Sequence, residues 1–542
     1  MQRIFCSLWI VLCCFSEGLA NTSLKTLSLR SNKLGDMGVT SFGGVIGTAQ
    51  GLQTLHLDDN KISPMGAHAI SGALKMNPPL TNVTFDKNPI GPTGAFDLAG
   101  ALGQDSNVNL GLGGCGLGME GAMAMVGVTP NLNIGGNGLG PQGAMQIAAL
   151  MAKNAPLDSV DLSNNDVGDM GAQAIAGALP VNITTHTINL SGNKISDGGA
   201  AALFMALGRN MTLTSLSLDN NKIGDGAATA LASLLRANTT LTNVSLSNNK
   251  ITMRGAMALA AALKMNRTLQ KLSLTGNAIG SMGARALGLT DRMNTVVSIS
   301  YDGATAGGGD FDPMSSLMGQ KMGPSDLQGM MPQLMGYSNL NLGNNRLGDA
   351  GAGFLAQYAD QFQQLGLANN GMSGDGLMPL LMSLMTNTST TSIDLSGNKM
   401  NPMAAGVLGK VLASNHTLQT LQLDNCSLGD AGVTAIVGGL AMNTTLKNLS
   451  LASNKISDSG AMALARALQV NTSLETLTLD GNKIGPGGGA ALAKVFVAMK
   501  GNPFGGAGGM GGASGMAGGM MAGKMPSIPA APGGWSNALS RF

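Results

Sequence analysis

The chain has 542 residues, 44% of them apolar and only 3% aromatic, and its 31 Lys and Arg against 29 Asp and Glu leave a net charge of +2. So small an excess excludes the long-range field that would draw nucleic acid or an anionic membrane, and neither is an expected partner. The surplus of Gly (81) and Met (37) suits thin, closely stacked layers better than a bulky globular core.

In chain order, residues 1–20 come first and differ from everything after them. Arg3, the apolar stretch Ile4 to Phe15 and the small-x-small site Gly18-Leu19-Ala20 form the pattern of a secretory signal peptide. The expected location is therefore the secretory pathway or the exterior, with the cytoplasm as the alternative if this N-terminus is a gene-model artefact. No later segment offers the roughly 20 uninterrupted apolar residues of a membrane-spanning helix. Cys6, Cys13 and Cys14 fall within the signal, leaving Cys115 and Cys426, for which no disulfide is expected.

From residue 21 to 500 one sentence is repeated. Aligned on a single Asn it reads L-x-x-L-x-L-x-x-N-x-I/L, then G-A-x-A-L-A-x-A-L, then Asn-x-Thr, mostly at a spacing of 28 from Asn32 to Asn482, with Cys115, Asp302 and Cys426 replacing the Asn. That predicts about 17 repeats of a solenoid, each burying its apolar face only against its neighbours. The alternating L-x-L predicts a short strand, and the i, i+3, i+4 pattern after it a helix. Asp36, Asp169, Asp197, Asp225, Asp349, Asp430 and Asp458 precede the helical runs and are expected to cap them. The basic row after the key residue (Lys33, Lys61, Lys194, Lys222, Lys250, Arg346, Lys399, Lys455 and Lys483) is expected to be neutralised by these aspartates.

The stretch "LTSLSLDNNKIGDGAATALASLLRANTT" resembles the 28-residue leucine-rich repeat of the ribonuclease-inhibitor type, and is similar to the repeat arrays of NOD-like receptors, though no nucleotide-binding module accompanies it. The resemblance implies an α/β solenoid, a horseshoe with a parallel sheet on the concave side and helices on the convex side. It leaves function open, since the family includes inhibitors, sensors and a GTPase-activating protein.

Asn210, Asn238, Asn266, Asn415, Asn443 and Asn471 fall where each helix returns to a strand, a place where Asn takes a left-handed conformation. They double as sequons and so as candidate N-glycosylation sites. No catalytic relay, metal site or cofactor motif is legible: four His are scattered over separate repeats, and the phosphate-loop imitation ending at Lys524 has Met525 in place of Ser or Thr. Asp219 and Asp424 belong to a broken acidic file on the concave face.

The period fails near 303–336, an expected insertion flanked by Tyr301, Phe311 and Tyr337, which stand as candidate anchors for a protein or other macromolecular partner. Residues 501–542, rich in Gly and Met, are expected to be a disordered tail. The expected function is a non-enzymatic, secreted interaction scaffold. The alternatives are a structural component of an extracellular coat or matrix, and an intracellular regulator resembling the GTPase-activating member.

Overall fold

The computed structural model describes residues 23–46, 51–76, 80–103, 106, 108–294, 296–301, 304–306 and 317–496. The signal-like segment, Phe311 and the Gly/Met tail lie outside them. Among the described residues, three- and four-residue strands alternate with helices from Thr26–Ser28 and Gly35–Ile46 to Thr476–Thr478 and Pro486–Ala493. Seventeen strands pair in parallel with their repeat neighbours, and the strand Ala304–Ala306 adds one antiparallel pairing.

Each strand is short because only its central residue faces the core. Leu27, Leu55, Leu216 and Leu449 are at most 1% exposed, while most of their strand neighbours are half-buried, with Ser28 buried and Asn448 exposed. The chain then turns through a left-handed residue just before the key Asn, such as Ser31, Asp59, Asn164, Asn220, Asn344 and Ser453. That conformation is why Asn, Asp and Gly crowd the position.

The key Asn makes the turn permanent by spending every polar atom. Asn60 Nδ2 donates to Leu29 O at 2.8 Å in the preceding repeat and to Leu57 O and Asp58 O at 3.0 Å in its own. The oxygen of the next key residue, Asn88, accepts from Asn60 N at 2.8 Å and Ile62 N at 3.0 Å. Each such bond contributes about 1 kcal/mol net, and leaving a buried group unmade costs more.

The helices present Ala and Gly to each other: in Asp225–Leu235 the buried face is Ala227, Ala228, Leu231, Ala232, Leu234 and Leu235. Contact is closest between Pro402–Ser414 and Gly429–Met442, where a Cβ on Gly439 would stand 1.9 Å from Gly409 O. No side chain fits there without moving backbone.

Two features depart from a simple end-to-end array. First, the last repeat pairs with the first. Strand Thr26–Ser28 is parallel to Thr476–Thr478 in the register Leu27 to Leu477, and it also pairs with Thr54–His56. Leu479 N donates to Ser28 O at 3.0 Å, Ile484 N to Asn32 Oδ1 at 3.0 Å and Asn32 Nδ2 to Leu479 O at 3.1 Å. These are the bonds that Leu451, Ile456 and Asn482 make at the ordinary junction one repeat earlier.

Second, the sheet's interruption lies in mid-chain. Strand Ser298–Tyr301 pairs antiparallel with Ala304–Ala306 as a hairpin, and Asp302, expected at the key position there, lies outside the described residues. The expected insertion is also shorter than its sequence suggests. Leu317 N donates to Asn341 O at 2.8 Å and Gly319 N to Gly343 O at 2.9 Å, and helix Pro324–Leu334 follows. Residues 317–334 are thus a further repeat unit, with left-handed Gly319 before Gln320 at the key position and Met322 in the core.

Candidate functional site

The sheet face carries a file of half-buried Ser, Thr, Asp and Asn, and its aspartates are held rather than free. Asp219 Oδ1 accepts from the Ser245 hydroxyl and from Ser247 N, both at 2.6 Å in the next repeat. Asp424 repeats this with Ser450 at 2.5 Å and Ala452 N at 2.8 Å. Around Asp219 the sheet forms a depression of 460 Å³ lined by Ser217, Asn243, Ser245, Lys271 and Ser273.

Where the last repeat meets the first, this file becomes a denser cluster. The Ser28 hydroxyl donates to Asp480, and Arg30 pairs with Asp58. Arg30 Nη2 also lies 2.9 Å from His56 Nδ1. Burial, and next the charge of Arg30, hold the His56 imidazole below its ordinary value against the opposite pull of Asp58 and Asp480. Asp86, one strand further on, is pushed up by burial although Gly113 N donates to it at 2.7 Å.

The helix-capping aspartates act one repeat ahead of their expected place. Asp36 accepts from Ser63 N at 2.7 Å and the Ser63 hydroxyl at 2.6 Å, at the start of the following helix. For Asp169 and Asp225 burial acts upward, but hydrogen bonds from Ser196 and Thr252 outweigh it and both titrate below the ordinary carboxylate range. The charge of Lys222 also lowers Asp169, but among the described residues none of these capping aspartates forms an ion pair with the basic row. Among the described residues its one ion pair is Lys194 with Asp166, at 2.8 Å.

The candidate glycosylation sites prove to be a second asparagine ladder. Asn210 Nδ2 donates to Leu179 O at 2.8 Å and Asn182 O at 2.9 Å, while its oxygen accepts from Thr212 N and Leu213 N. Asn266, Asn415, Asn443 and Asn471 do the same and are at most 5% exposed; Asn238 is half-buried in the same role. The amide nitrogen that would carry a sugar has both hydrogens committed inside the fold, so a glycan there is incompatible with it. Nor are these asparagines left-handed: Asn182, Asn415 and Asn443 have φ of −80°, −81° and −72°, and of this register Asn154 alone, at 57°, is left-handed among the described residues.

The aromatic candidates separate. Tyr301 is 6% exposed and packs within the core, which removes it as a contact anchor; Tyr337 is half-buried; Phe311 lies outside the described residues. Phe362 takes a core Leu position at 0% exposure. Cys115 and Cys426 are buried free thiols in the key turn position. Their thiols point at Phe85 O, 3.1 Å, and Leu395 O, 3.4 Å, and burial pushes both up to about 12. Among the described residues no three His, Cys, Asp or Glu side chains converge as metal ligands, and no helix is long and apolar enough to cross a membrane.

The turn, its asparagine and the strand-helix alternation define a leucine-rich repeat protein, and the Leucine Rich repeat family matches at residues 20–43, 153–176, 182–204, 209–232, 237–260, 266–288, 414–437, 443–465 and 470–493. The array is of the kind found in NOD-like receptors: it is 38% identical over 109 residues to the NACHT, LRR and PYD domains-containing protein 3 of Bos taurus, covering 19% of this chain and 10% of that protein. Leucine-rich repeat-containing protein 45 of Gallus gallus is 38% identical over 77 residues, 14% of this chain and 12% of its own length. The chain thus spans about a tenth of the length of these relatives. Among solved structures, the actin-binding site 2 of leiomodin-1 aligns with 28% of this chain and 87% of its own at 27% identity and a TM-score of 0.25. Leucine-rich repeat proteins generally act in protein–protein interaction.

Proposed function

We propose that the chain is a non-enzymatic, secreted scaffold that presents its sheet face to a protein partner, with contact centred on the depression at Asp219. The observation that carries this reading is the fixed placement of the acidic file. Asp219 and Asp424 are each pinned by a hydroxyl and a backbone N–H of the next repeat, so the face meets a partner preorganised and loses little side-chain entropy on binding. Lys271 stands exposed at the rim and can be changed without touching the core. Secretion rests on residues 1–20 of the sequence.

One experiment addresses both parts. The protein expressed with its own N-terminus should be recovered from the medium beginning at Asn21, and a partner captured by it should bind the Lys271→Glu variant about tenfold more weakly. Recovery of an intact Met1 form only from the cytosol refutes secretion. Unchanged binding by Lys271→Glu, with binding lost on deletion of 307–316, moves the contact to the mid-chain interruption.

A further inference from the structure

Lys33 and Lys61 lie near one end of the repeat region and Lys455 and Lys483 near the other, as two separate pairs in the sequence. Pairing of the last strand with the first makes them consecutive. Lys483 N donates to Ile456 O at 2.7 Å and Lys33 N to Ile484 O at 2.9 Å, the same step from one turn to the next on either side of the junction. Lys455, Lys483, Lys33 and Lys61 therefore occupy four successive turns, each just after the key Asn, and Lys87 stands two positions earlier in the fifth, just before Asn88. All five are exposed, and among the described residues none forms an ion pair.

Asp36 and Asp458, three residues on from Lys33 and Lys455, are hydrogen-bonded in the following repeat. Both oxygens of Asp36 bond Ser63, and Asp458 accepts from Gly485 N at 2.5 Å. Asp59, beside Lys61, is exposed and lies outside any ion pair among the described residues. The other lysine run, Lys194, Lys222 and Lys250, is shorter, and its first member is already neutralised by Asp166.

We infer that this five-lysine row is a docking surface for an extended acidic polypeptide segment of a partner protein. Turns joined by parallel ladder bonds lie about 5 Å apart, so the row spans roughly 20 Å. An extended peptide presents same-side carboxylates about every 7 Å, two residues apart, and three or four of them cover that length within reach of the flexible lysine stems. Like charges in successive turns repel, and an acidic strand laid along them relieves the repulsion while leaving the buried ladders untouched. A polypeptide is favoured over other polyanions because protein binding is the general activity of leucine-rich repeats, and the inference rests to that extent on the scaffold reading.

The test uses the full chain and a fluorescent twelve-residue peptide alternating Glu with Ser, read by anisotropy at low and physiological salt. Lys33→Gln with Lys61→Gln, and separately Lys455→Gln with Lys483→Gln, should each weaken binding about fivefold, and the four together more than tenfold. The triple change at Lys194, Lys222 and Lys250 should cost less than about twofold. Comparable losses from the two doubles show that both ends of the sequence build one site. No binding by the wild type, an unaffected quadruple variant, or an equal loss in the triple variant overturns the site. A single-stranded DNA or heparin oligosaccharide of equal charge that binds more tightly than the peptide overturns the partner class. The lysine changes leave Asp219 and Lys271 intact, so capture of a partner through the sheet face succeeds or fails independently.

Discussion

Arg30 and Asp480 are 450 positions apart and hydrogen-bond as members of adjacent turns, whereas Ser298–Tyr301 and the Leu317 turn are close in sequence and show no pairing among the described residues. The two junctions differ in what the turn supplies. At the first, Asn32 and Asn482 offer a full set of donors and acceptors in the common register, and the strands complete one another. At the second, Tyr301 pairs with Ala304 in an antiparallel hairpin on one side, and Gln320 in place of Asn holds the key position on the other. Joining repeats thus depends on complementary turns and not on continuity of the chain.

The largest test of that contrast is to remove the key amide at the junction and within the array. Asn32→Ala and Asn398→Ala should each destabilise by about 2–3 kcal/mol, because each strands buried carbonyls. Urea unfolding measures both. An Asn32 cost below half that of Asn398 would mean that the end-to-end pairing contributes little.

A smaller effect is expected from acid. The folded-state value of His56 is lowered, so the unfolded chain binds the proton more readily and stability falls as pH drops below about 6.5. The charged groups that face the ring are Arg30, which adds to the lowering, and Asp58 and Asp480, which oppose it. Between pH 7 and pH 5, hydrogen exchange should quicken in residues 24–34 and 474–489 before it does in the middle repeats, and His56→Gln should abolish the difference. Uniform quickening, or no change on substitution, places the acid sensitivity elsewhere.

The smallest effect concerns Cys426. Its thiol reaches Leu395 O at only 3.4 Å and Asp424 O at 3.6 Å, where other repeats use an amide. Cys426→Asn should be neutral to stabilising by under about 1 kcal/mol. A clear loss of Tm would show that the turn at that repeat is shaped to sulfur.

The strands, the helices and the turn asparagine were legible because each follows from a local pattern: L-x-L, Ala and Gly at helical spacing, and a polar residue after a left-handed one. The direction of Asp36 and its equivalents was not. A carboxylate ahead of a helix reads as the cap of that helix, and only the lateral offset between stacked repeats sends it to the next. The sequons misled because Asn-x-Thr serves a buried ladder here, with the Asn oxygen taking backbone N–H groups two and three residues on. The unit at 317–334 hid behind Gln320, although Gly319, Lys321 and Met322 hold their proper offsets. Nothing local announces the pairing of the last repeat with the first, since it depends on curvature summed over every unit between them.

The mid-chain interruption gives that pairing a tolerance it would otherwise lack. Repeats so alike invite duplication and loss of whole units at the level of the gene, and shortened ones already occur: Asn137 follows Cys115 closely, yet Leu117 N still donates to Asn137 Oδ1 at 3.0 Å. In an array bonded at every junction, one unit too many would strain all of them. Among the described residues no pairing joins Ala304–Ala306 to the Leu317 turn, and such a break would serve as an expansion joint, taking up a change in repeat number as displacement while Leu27 and Leu477 keep their register.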